Sequence, residues 1–487
     1  MLHGLLRTPL RALLLTLVFC FTTGVRAAPL PLTSLDRSEQ QAHLQQMQNR
    51  LEADIKLSPD QSDLPLSPAR IVLRPMFPAQ QGSWPFEPFV HNGMFKEIAQ
   101  YQRQHPRIIV IQGGRATLGM LYRQLSNERI LRRHQGGYLL SYPLMIAPDA
   151  ALVLENEPLF LQAHTGTALI NQGALHISNA LLTTHLDGQE ASAGNARPFL
   201  INWAGSGLYL DNASIRDLGY DAYLSRGITT ALSPQQPVDT PPAHVVLNGS
   251  TLQNMPVGLE LQHARAVVSA SRFEQMQHYA VDMENSQFAL DNNQIQTVKQ
   301  FSGIRVRGAS AGKLVANRIG HTRKSAIEVE NFQGQLLVRA NSLSNNLGHG
   351  ILLREVHADS SLLVTDNTII NTQGSALEGI NVSVLNVIRN QISHTAEYGI
   401  SLRNDTATPG PVRIFNNQLS HVGKAMVRTQ GIHQILLGDN QFLASQLLQP
   451  ILLGDLMKYQ APVLQRMLQQ QEWINIKLDK VSLLPPS

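Results

Sequence analysis

The chain repeats a short pattern of apolar and polar positions from about Leu152 onwards. Each repeat combines a strand-like run, in which apolar residues alternate with polar ones, with a polar bend; examples are LDNASI, LDNNQI, VRANSL and VTDNTI. Alternation with a period of two places one set of side chains on an inner face and the other on an outer face. Each repeat therefore predicts short β-strands rather than a helix.

One asparagine marks most repeats and gives their period. The markers are Asn293, Asn317, Asn341, Asn367, Asn390, Asn417 and Asn440, and successive spacings run from 23 to 27 residues. This period fits one coil of a stacked parallel β structure. We expect the asparagines to be structural, since Asn tolerates left-handed backbone angles at a bend and its amide can hydrogen-bond to neighbouring coils.

The fold class predicted from these repeats is all-β, a right-handed parallel β-helix with a small N-terminal α/β cap and a C-terminal capping helix. Caps are needed because the end of a stacked sheet exposes unpaired backbone groups. The predicted segments are 1–28 as a signal peptide, 29–70 as a linker or loosely packed helix, 71–150 as the α/β capping region, 151–450 as the β-helix, and 451–487 as a capping helix and tail.

The first residues have the order of a secretory signal peptide. Arg7 and Arg11 precede an apolar run from Ala12 to Phe21, and small residues follow around Ala27. The run is too short for a membrane span. We therefore expect export to the periplasm, with no cysteine left in the mature chain because Cys20 is the only one. Stability must then come from a large core rather than from disulfides.

The net charge gives little indication of the kind of molecule that the protein binds. The formal net charge is +4, from 39 basic and 35 acidic residues, and loss of the three arginines of the signal segment leaves 36 against 35. Near neutrality gives no support for a nucleic-acid partner. Any case for an acidic partner must rest on where the charges lie.

Several repeats contain a second pattern, a small residue followed by an alternating strand with charged outer positions. Stacking coils about 4.8 Å apart turns these positions into columns that we expect to face solvent. One column is Gln262, Glu284, Arg307, Glu330 and Arg354, and the other is Glu260, Asp282, Arg305 and Glu328. Such columns are either a solvated row of ion pairs or a surface on which Arg side chains bind the carboxylates of an acidic polysaccharide.

Longer stretches of the chain resemble one enzyme family. RIIVIQGG, RPFLINWAGSGLYLDNASIRDLGYDAYLSRGI and LLGDLMKYQAPVLQRMLQQQ look like segments of the periplasmic mannuronan C5-epimerases of alginate biosynthesis, from about Arg107 to Gln471. Trp203, Tyr220 and Tyr223 weigh most, because a generic coil does not need them. The resemblance implies an enzyme that inverts C5 of mannuronate units in a polymer within the periplasm.

The resemblance also implies where the chemistry takes place. In these enzymes a tyrosine and a glycine precede an Asp-Pro-His segment, whose histidine is the base. Here Tyr279 and Asp282 match, whereas Met283 replaces the proline and Glu284 the histidine. The resemblance gives Tyr279 the acid role and Arg307, one coil on, the role of neutralising the substrate carboxylate.

The expected site therefore comprises the catalytic residues Tyr279, Asp282, Glu284 and Arg307, with Glu284 as an altered base, and the substrate-binding residues Arg305, Asn285, Glu330 and Arg354. Alternation predicts that His278 points to the other face of its strand. His321, His349 and His357 are expected to be ordinary polar surface.

Alternative functions remain at this point. A non-catalytic relative that guides or protects an acidic exopolysaccharide fits the same residues, and a polyuronate lyase shares the carbanion step; a β-helix adhesin is poorly supported. Other envelope export proteins are further candidate partners. No cofactor is expected, and the mature chain shows no zinc-type spacing, although bends such as Asp291 to Asn293 leave calcium open.

Overall fold

The computed structural model describes residues 32–54, 57, 64–77, 82–186, 196–405, 410–444 and 449–478. The chain forms a right-handed parallel β-helix, as the repeats predict. Each coil contributes one strand to each of three long sheets, which enclose a common apolar core. The predicted signal peptide, residues 1–28, lies outside the described residues.

Sheet 1 is parallel except at the C-terminal end of the solenoid. Its strands, from that end, are Leu32–Leu35, Trp473–Lys477, Gln434–Gly438, Val412–Phe415, Leu385–Ile388, Ser361–Thr365, Gln335–Arg339, Ala311–Val315, Gln287–Asp291, Ala264–Ser269, Ala243–Asn248, Gly207–Asp211, Ala174–Ser178, Ala150–Glu155 and Gly114–Thr117.

Sheet 2 carries the two charged columns and begins with one antiparallel pair. Its strands, from the N-terminal end, are Arg70–Pro75, Arg107–Gln112, Leu144–Ile146, Leu169–Asn171, Leu200–Trp203, Gly227–Ala231, Val257–Gln262, Tyr279–Glu284, Ile304–Gly308, Ile327–Phe332, Ile351–Val356, Leu377–Val382, Tyr398–Arg403, Ala425–Gln430 and Leu452–Gly454.

Sheet 3 closes each coil. Its strands are Leu131–His134, Gly137–Leu140, Leu159–Gln162, Leu181–His185, Ser214–Arg216, Thr251–Gln253, Arg272–Met276, Gln294–Val298, Arg318–Thr322, Ser342–Asn346, Thr368–Thr372, Gln391–Thr395, Gln418–Val422 and Gln441–Leu443. Parallel pairing already starts at residues 107–117, ahead of the predicted boundary at residue 151.

The marker asparagines form a buried ladder, which supports their structural role. The amide of Asn317 donates to Oδ1 of Asn341 at 3.0 Å, and that of Asn341 donates to Oδ1 of Asn367 at 2.9 Å. Their backbone angles differ from the expectation. The left-handed residue is the one just before each marker, for example Ala340 with φ 55°. Asparagine is therefore required for its amide and not for its φ.

Helices form a cap on the N-terminal part of the solenoid. Leu118–Leu125 packs on the interior core, whereas Glu87–His91 and Phe95–Gln102 pack on the outer face of sheet 2. Trp203, which is buried, donates from its indole nitrogen to the Pro85 carbonyl at 3.1 Å. The aromatic residues that stand out in the sequence thus include one that fixes the cap to the coils.

The segment predicted as a linker or loosely packed helix instead closes the opposite end. Leu32–Leu35 pairs antiparallel with Trp473–Lys477. The helix that follows, Arg37–Asp54, lies on the outer face of sheet 1 and buries Leu44 and Leu51 there. The apolar positions of this helix are few, but they meet an apolar patch on the sheet, beside a groove of about 430 Å³ between the helix and the coils.

The C-terminal segment contains less helix than predicted. It consists of the 3₁₀ turn Met457–Tyr459, the helix Gln460–Leu464 and the π turn Gln465–Gln469, before the strand Trp473–Lys477. At this end antiparallel strands extend sheet 1 and pair with its last parallel strand, Gln434–Gly438. No helix in the described part of the chain is long and apolar enough to cross a bilayer.

Candidate active site

The two charged columns have the predicted register. Glu260 pairs with Asp282, Asp282 with Arg305, and Arg305 with Glu328 along the first column. The second column runs in the same way through Gln262, Glu284, Arg307, Glu330 and Arg354. Charged side chains of successive coils therefore lie side by side on the outer face of sheet 2.

The first column is not solvent-exposed, which corrects the expectation for its carboxylates. Glu260, Asp282 and Glu328 are all buried. Arg305 covers Asp282 with a two-point contact, Nε to Oδ1 at 2.9 Å and Nη2 to Oδ2 at 2.6 Å. Long arginine side chains fold back over the short carboxylates, so the surface offered to a ligand is richer in guanidinium than the sequence suggests.

The other two buried carboxylates are also paired. Glu328 accepts from Arg354 at 2.7 Å and from Ser302 at 2.7 Å. Glu260 lies 3.3 Å from Arg226, and burial raises the pKa of Glu260 although this arginine opposes the shift. A buried carboxylate needs such a partner, because an unpaired buried charge is strongly destabilising.

The second column stays at the surface. Arg307 lies 3.1 Å from Glu284 and 3.5 Å from Asp282, and its side chain is 26% exposed. Its Nε is buried and has no hydrogen-bond partner among the described residues. Glu330 and Arg354 form a longer pair at 3.8 Å. Arg307 thus contacts protein carboxylates through Nη2 only, which leaves its guanidinium able to bind a ligand carboxylate as well.

Tyr279 belongs to the same cluster. The guanidinium carbon of Arg305 lies 4.2 Å from the centre of the Tyr279 ring, and Phe301 of the next coil stacks on that ring with centres 5.3 Å apart. Lys324 lies 4.4 Å from the centre of the Phe301 ring. Burial raises the pKa of Tyr279 to about 12, despite the opposing charge of Arg305. The phenol therefore keeps its proton at neutral pH.

His278 lies beside this cluster, so the prediction that it points away is wrong. Its ring centre is 5.3 Å from that of Phe301, and its Nδ1 is 3.8 Å from Oδ1 of Asp221. Alternation fails here because His278 precedes the strand Tyr279–Glu284, where the backbone is still turning. Burial lowers the pKa of His278; Asp221 opposes this shift, whereas Arg226 and Arg305 add to it.

Asn285 has a turn role in the structure. It has a left-handed φ of 49°, and its Oδ1 accepts from the Ala309 backbone at 2.9 Å. A side chain at Gly308 would meet that oxygen at 2.3 Å, which accounts for glycine at that position. The amide oxygen of Asn285 is thus occupied by the next coil.

The other histidines lie away from the cluster. His349 is more enclosed than expected, since its Nδ1 accepts from the Ser375 backbone at 3.1 Å and burial lowers its pKa. His357 is exposed. His321 lines a groove of about 650 Å³ on sheet 3, where His394 and His421 stack with ring centres 4.5 Å apart. Across the described ranges, no three His, Cys, Asp or Glu residues are grouped as a metal site.

Four residues of the cluster could not be found from the charged columns alone. Phe301 and Lys324 come from the bends before their strands, where no periodic signal exists. Asp221 and Arg226 come from an irregular loop and lie within 3.4 Å of each other. The sequence signal for that loop was the stretch LGYDAYLSRGI, which contains both residues.

Comparison with known proteins supports the resemblance. A model of the right-handed beta helix region matches residues 240–407. The mannuronan C5-epimerase AlgG of Azotobacter vinelandii is 24% identical over 294 residues, which are 58% of this chain and 55% of that protein. A mannuronan C5-epimerase of Pseudomonas aeruginosa is 29% identical over 140 residues, which are 27% of this chain and 26% of that protein.

The resemblance to the mannuronan C5-epimerases is confirmed. The chain spans about half the length, or less, of these epimerases. A crystal structure of the periplasmic alginate epimerase AlgG has the same fold, with a TM-score of 0.67 at 16% identity; the alignment covers 82% of this chain and 98% of that one. The residues of the cluster must therefore be judged by their own geometry.

Proposed function

We propose that the outer face of sheet 2 binds a uronate polymer and that the cluster at Tyr279 epimerises its units at C5. The observation that carries this proposal is the convergence of the Arg305 and Arg307 guanidinium groups on Asp282, beside a phenol that keeps its proton. The epimerases related in sequence act, by name, on mannuronan, which makes polymannuronate the first substrate to try.

The chemistry follows from the acidity of the C5 proton. That proton is removed only if the negative charge developing on the C6 carboxylate is neutralised, and guanidinium groups in a partly water-free site do this well. Arg307 is the more exposed of the two arginines on Asp282, at 26% against 17%. Asp282 holds both guanidinium groups on the same side, and Tyr279 supplies a proton to the opposite face of C5.

Glu284 takes the position that the resemblance assigns to the base. Its carboxylate is ion-paired with Arg307 at 3.1 Å, and its side chain is 35% exposed. The guanidinium neutralises this carboxylate, so Glu284 is better placed to fix Arg307 than to receive a proton.

The compartment proposed is the periplasm. The solved relative AlgG is described as a periplasmic alginate epimerase, and the first 28 residues have the order of a signal peptide. A polymer in transit through the envelope would meet the face of sheet 2 there, together with any other export proteins that handle it.

Epimerisation is tested by proton NMR on purified protein incubated with polymannuronate. Guluronate signals are expected to grow with time for the native protein and to be absent for Arg307→Ala. Absence of guluronate for the native protein would refute the catalytic part of the proposal. Unsaturated chain ends, detected by ultraviolet absorbance, would indicate elimination instead.

Non-catalytic binding is the second candidate function, and the substitution of the expected histidine by Glu284 favours it. Binding is tested by titrating polymannuronate into the double variant Arg307→Ala/Arg354→Ala at two salt concentrations. The affinity is expected to fall in the variant and to depend less on salt, because two cations near the polymer are lost. An unchanged affinity would remove sheet 2 as the binding face.

A further inference from the structure

The position of His278 suggests a role in the chemistry. It directly precedes Tyr279, and both rings contact Phe301, with centres 5.3 Å away in each case. The ring is thus held at the edge of the cluster by packing on an aromatic neighbour. Its side chain is 13% exposed, so the imidazole is mostly enclosed yet still reached by solvent.

The charges around His278 come from two elements. Asp221 and Arg226 belong to the loop before the strand Gly227–Ala231, and Arg305 belongs to the strand Ile304–Gly308. Burial and the two arginines favour the neutral ring, while Asp221 is the one acidic group among these three. Nδ1 lies 3.8 Å from Oδ1 of Asp221, beyond hydrogen-bonding distance, so this carboxylate acts on the ring through its charge.

Glu284 is less suited than His278 to be the base. Its carboxylate is ion-paired with Arg307 at 3.1 Å, and it would have to take up the C5 proton while it is held in this pair and faces an anionic uronate. A neutral imidazole approaches an anionic substrate without charge repulsion. The imidazolium that it forms then lies near the carboxylate of Asp221.

We propose that His278 is the general base that removes the C5 proton of the bound uronate. This assignment rests on the proposed epimerase function and gives it the base that Glu284 does not provide. Asp221 is then a positioning residue, whose negative charge stabilises the imidazolium.

The proton and electron pairs balance in this scheme. The C5–H bond breaks and its proton passes to the unprotonated ring nitrogen of His278, while its electron pair enters the enediolate formed from the C6 carboxylate, which Arg307 neutralises. A new C5–H bond forms with the proton of the Tyr279 phenol on the other face. The tyrosinate recovers a proton from the imidazolium through solvent, which restores both side chains for the next unit.

The first experiment compares His278→Gln with His357→Gln in the NMR assay for guluronate. His357 is exposed and lies on a distant bend, so its variant controls for the loss of a histidine. The rate for His278→Gln is expected to fall by about a hundredfold or more, with the same melting temperature and polymer affinity as the native protein. The rate for His357→Gln is expected to equal the native rate.

Two results separate the assignment from the function it rests on. If the native protein forms guluronate and His278→Gln does so at the same rate, His278 is not the base while the function stands. Loss of activity in Glu284→Gln together with full activity in His278→Gln would assign the base to Glu284. If the native protein forms no guluronate although it binds the polymer, both the function and the base fail.

A second variant does not touch the ring and tests the same idea through pH. Asp221 is exposed and raises the pKa of His278, so Asp221→Asn is expected to move the acidic limb of the kcat/KM profile to lower pH. A purely structural role for Asp221 would lower the rate at all pH values without moving the limb. An unmoved limb would therefore overturn the assignment.

Discussion

Single residues on sheet 2 act through ion pairs that are covered to very different degrees. Asp282 is buried and hydrogen-bonded twice by Arg305, whereas the pair of Arg403 and Asp405 lies at the surface, with side chains 43% and 52% exposed. Removing one partner of a buried pair leaves an uncompensated charge, while exposed pairs contribute little. The residues that arrange the cluster should therefore also matter for stability.

Asp282→Ala is accordingly expected to lower the free energy of unfolding by about 3 kcal/mol, because the largely enclosed Arg305 is left without its buried partner. Chemical denaturation of the purified variant measures this change. Asp405→Ala is the matched control and is expected to cost less than about 1 kcal/mol. Equal losses in the two variants would show that Asp282 is not held as described.

A second residue-scale effect concerns acid stability. Burial lowers the pKa of His176 to about 4, and its ring stacks on Tyr209 with centres 4.4 Å apart. The folded chain keeps this ring neutral, whereas the unfolded chain protonates it below its ordinary value of about 6.5. The contribution of His176 is complete above pH 6.5 and is lost as the pH falls from 6.5 towards 4.

The variant His176→Gln is therefore expected to lose less stability than the native chain between pH 6.5 and 4.5. Denaturation curves at these two values give the comparison, and His357→Gln serves as the control for a freely exposed histidine. If the native protein and His176→Gln have the same pH dependence, the ring is not neutral in the fold.

At the scale of elements, the asparagine ladder connects coils through side chains. Asn341 accepts from the backbone and side-chain amides of Asn317 at 2.9 Å and 3.0 Å, and it donates to the Leu314 carbonyl at 2.8 Å and to Asn367 at 2.9 Å. Each rung thus satisfies polar groups of two neighbours that have no access to water.

Asn341→Ala is expected to destabilise the chain by about 2 to 4 kcal/mol, because it leaves buried donors and acceptors of neighbouring coils unpaired. The adjacent exposed residue provides the control, since Ser342→Ala should stay within about 0.5 kcal/mol of the native value. The midpoint of thermal or urea unfolding reports the difference. A neutral Asn341→Ala would mean that the ladder is dispensable.

The coils could be predicted from the sequence because their side-chain pattern is regular. A period of two along each strand and a recurring asparagine fix the inner face, the bend and the register, so the columns through Asp282 and Glu284 came out correctly. The bends have no such period. The direction of His278 was therefore predicted wrongly, and Phe301, which it contacts, could not be assigned at all.

Exposure was harder to predict than register. Alternation shows that Asp282 points outward, but it does not show that Arg305 folds back over it. The position of Leu32–Leu35 was equally out of reach, because its partner strand lies more than 430 residues away in the sequence. Local patterns carry no information on such contacts.

The whole molecule presents a second aromatic and cationic group on sheet 2. Lys424 and Arg428 both lie 5.3 Å from the centre of the Tyr398 ring, and Tyr398 begins a strand five coils beyond that of Tyr279. At about 4.8 Å per rung, the two groups are about 24 Å apart. A polymer chain that extends across the coils would reach both, whereas a short oligomer would reach one.

Tyr398→Ala/Lys424→Ala is therefore expected to weaken binding of long polymannuronate several-fold and to leave the affinity for short oligomers unchanged. Isothermal titration with chains of graded length tests this expectation. The control is Arg272→Ala, which removes an exposed cation from sheet 3. If the double variant binds long chains as the native protein does, the polymer does not extend this far along the sheet.

The antiparallel pair at the C-terminal end also constrains how the molecule matures. Leu32–Leu35 is made before every coil, yet its partner Trp473–Lys477 is made after nearly all of them. The early strand stays unpaired until the late strand has been made, and only then can it join sheet 1. A truncation that removes the late strand would leave two strands with unpaired backbone groups, one in the last coil and one at Leu32–Leu35. Such chains should self-associate.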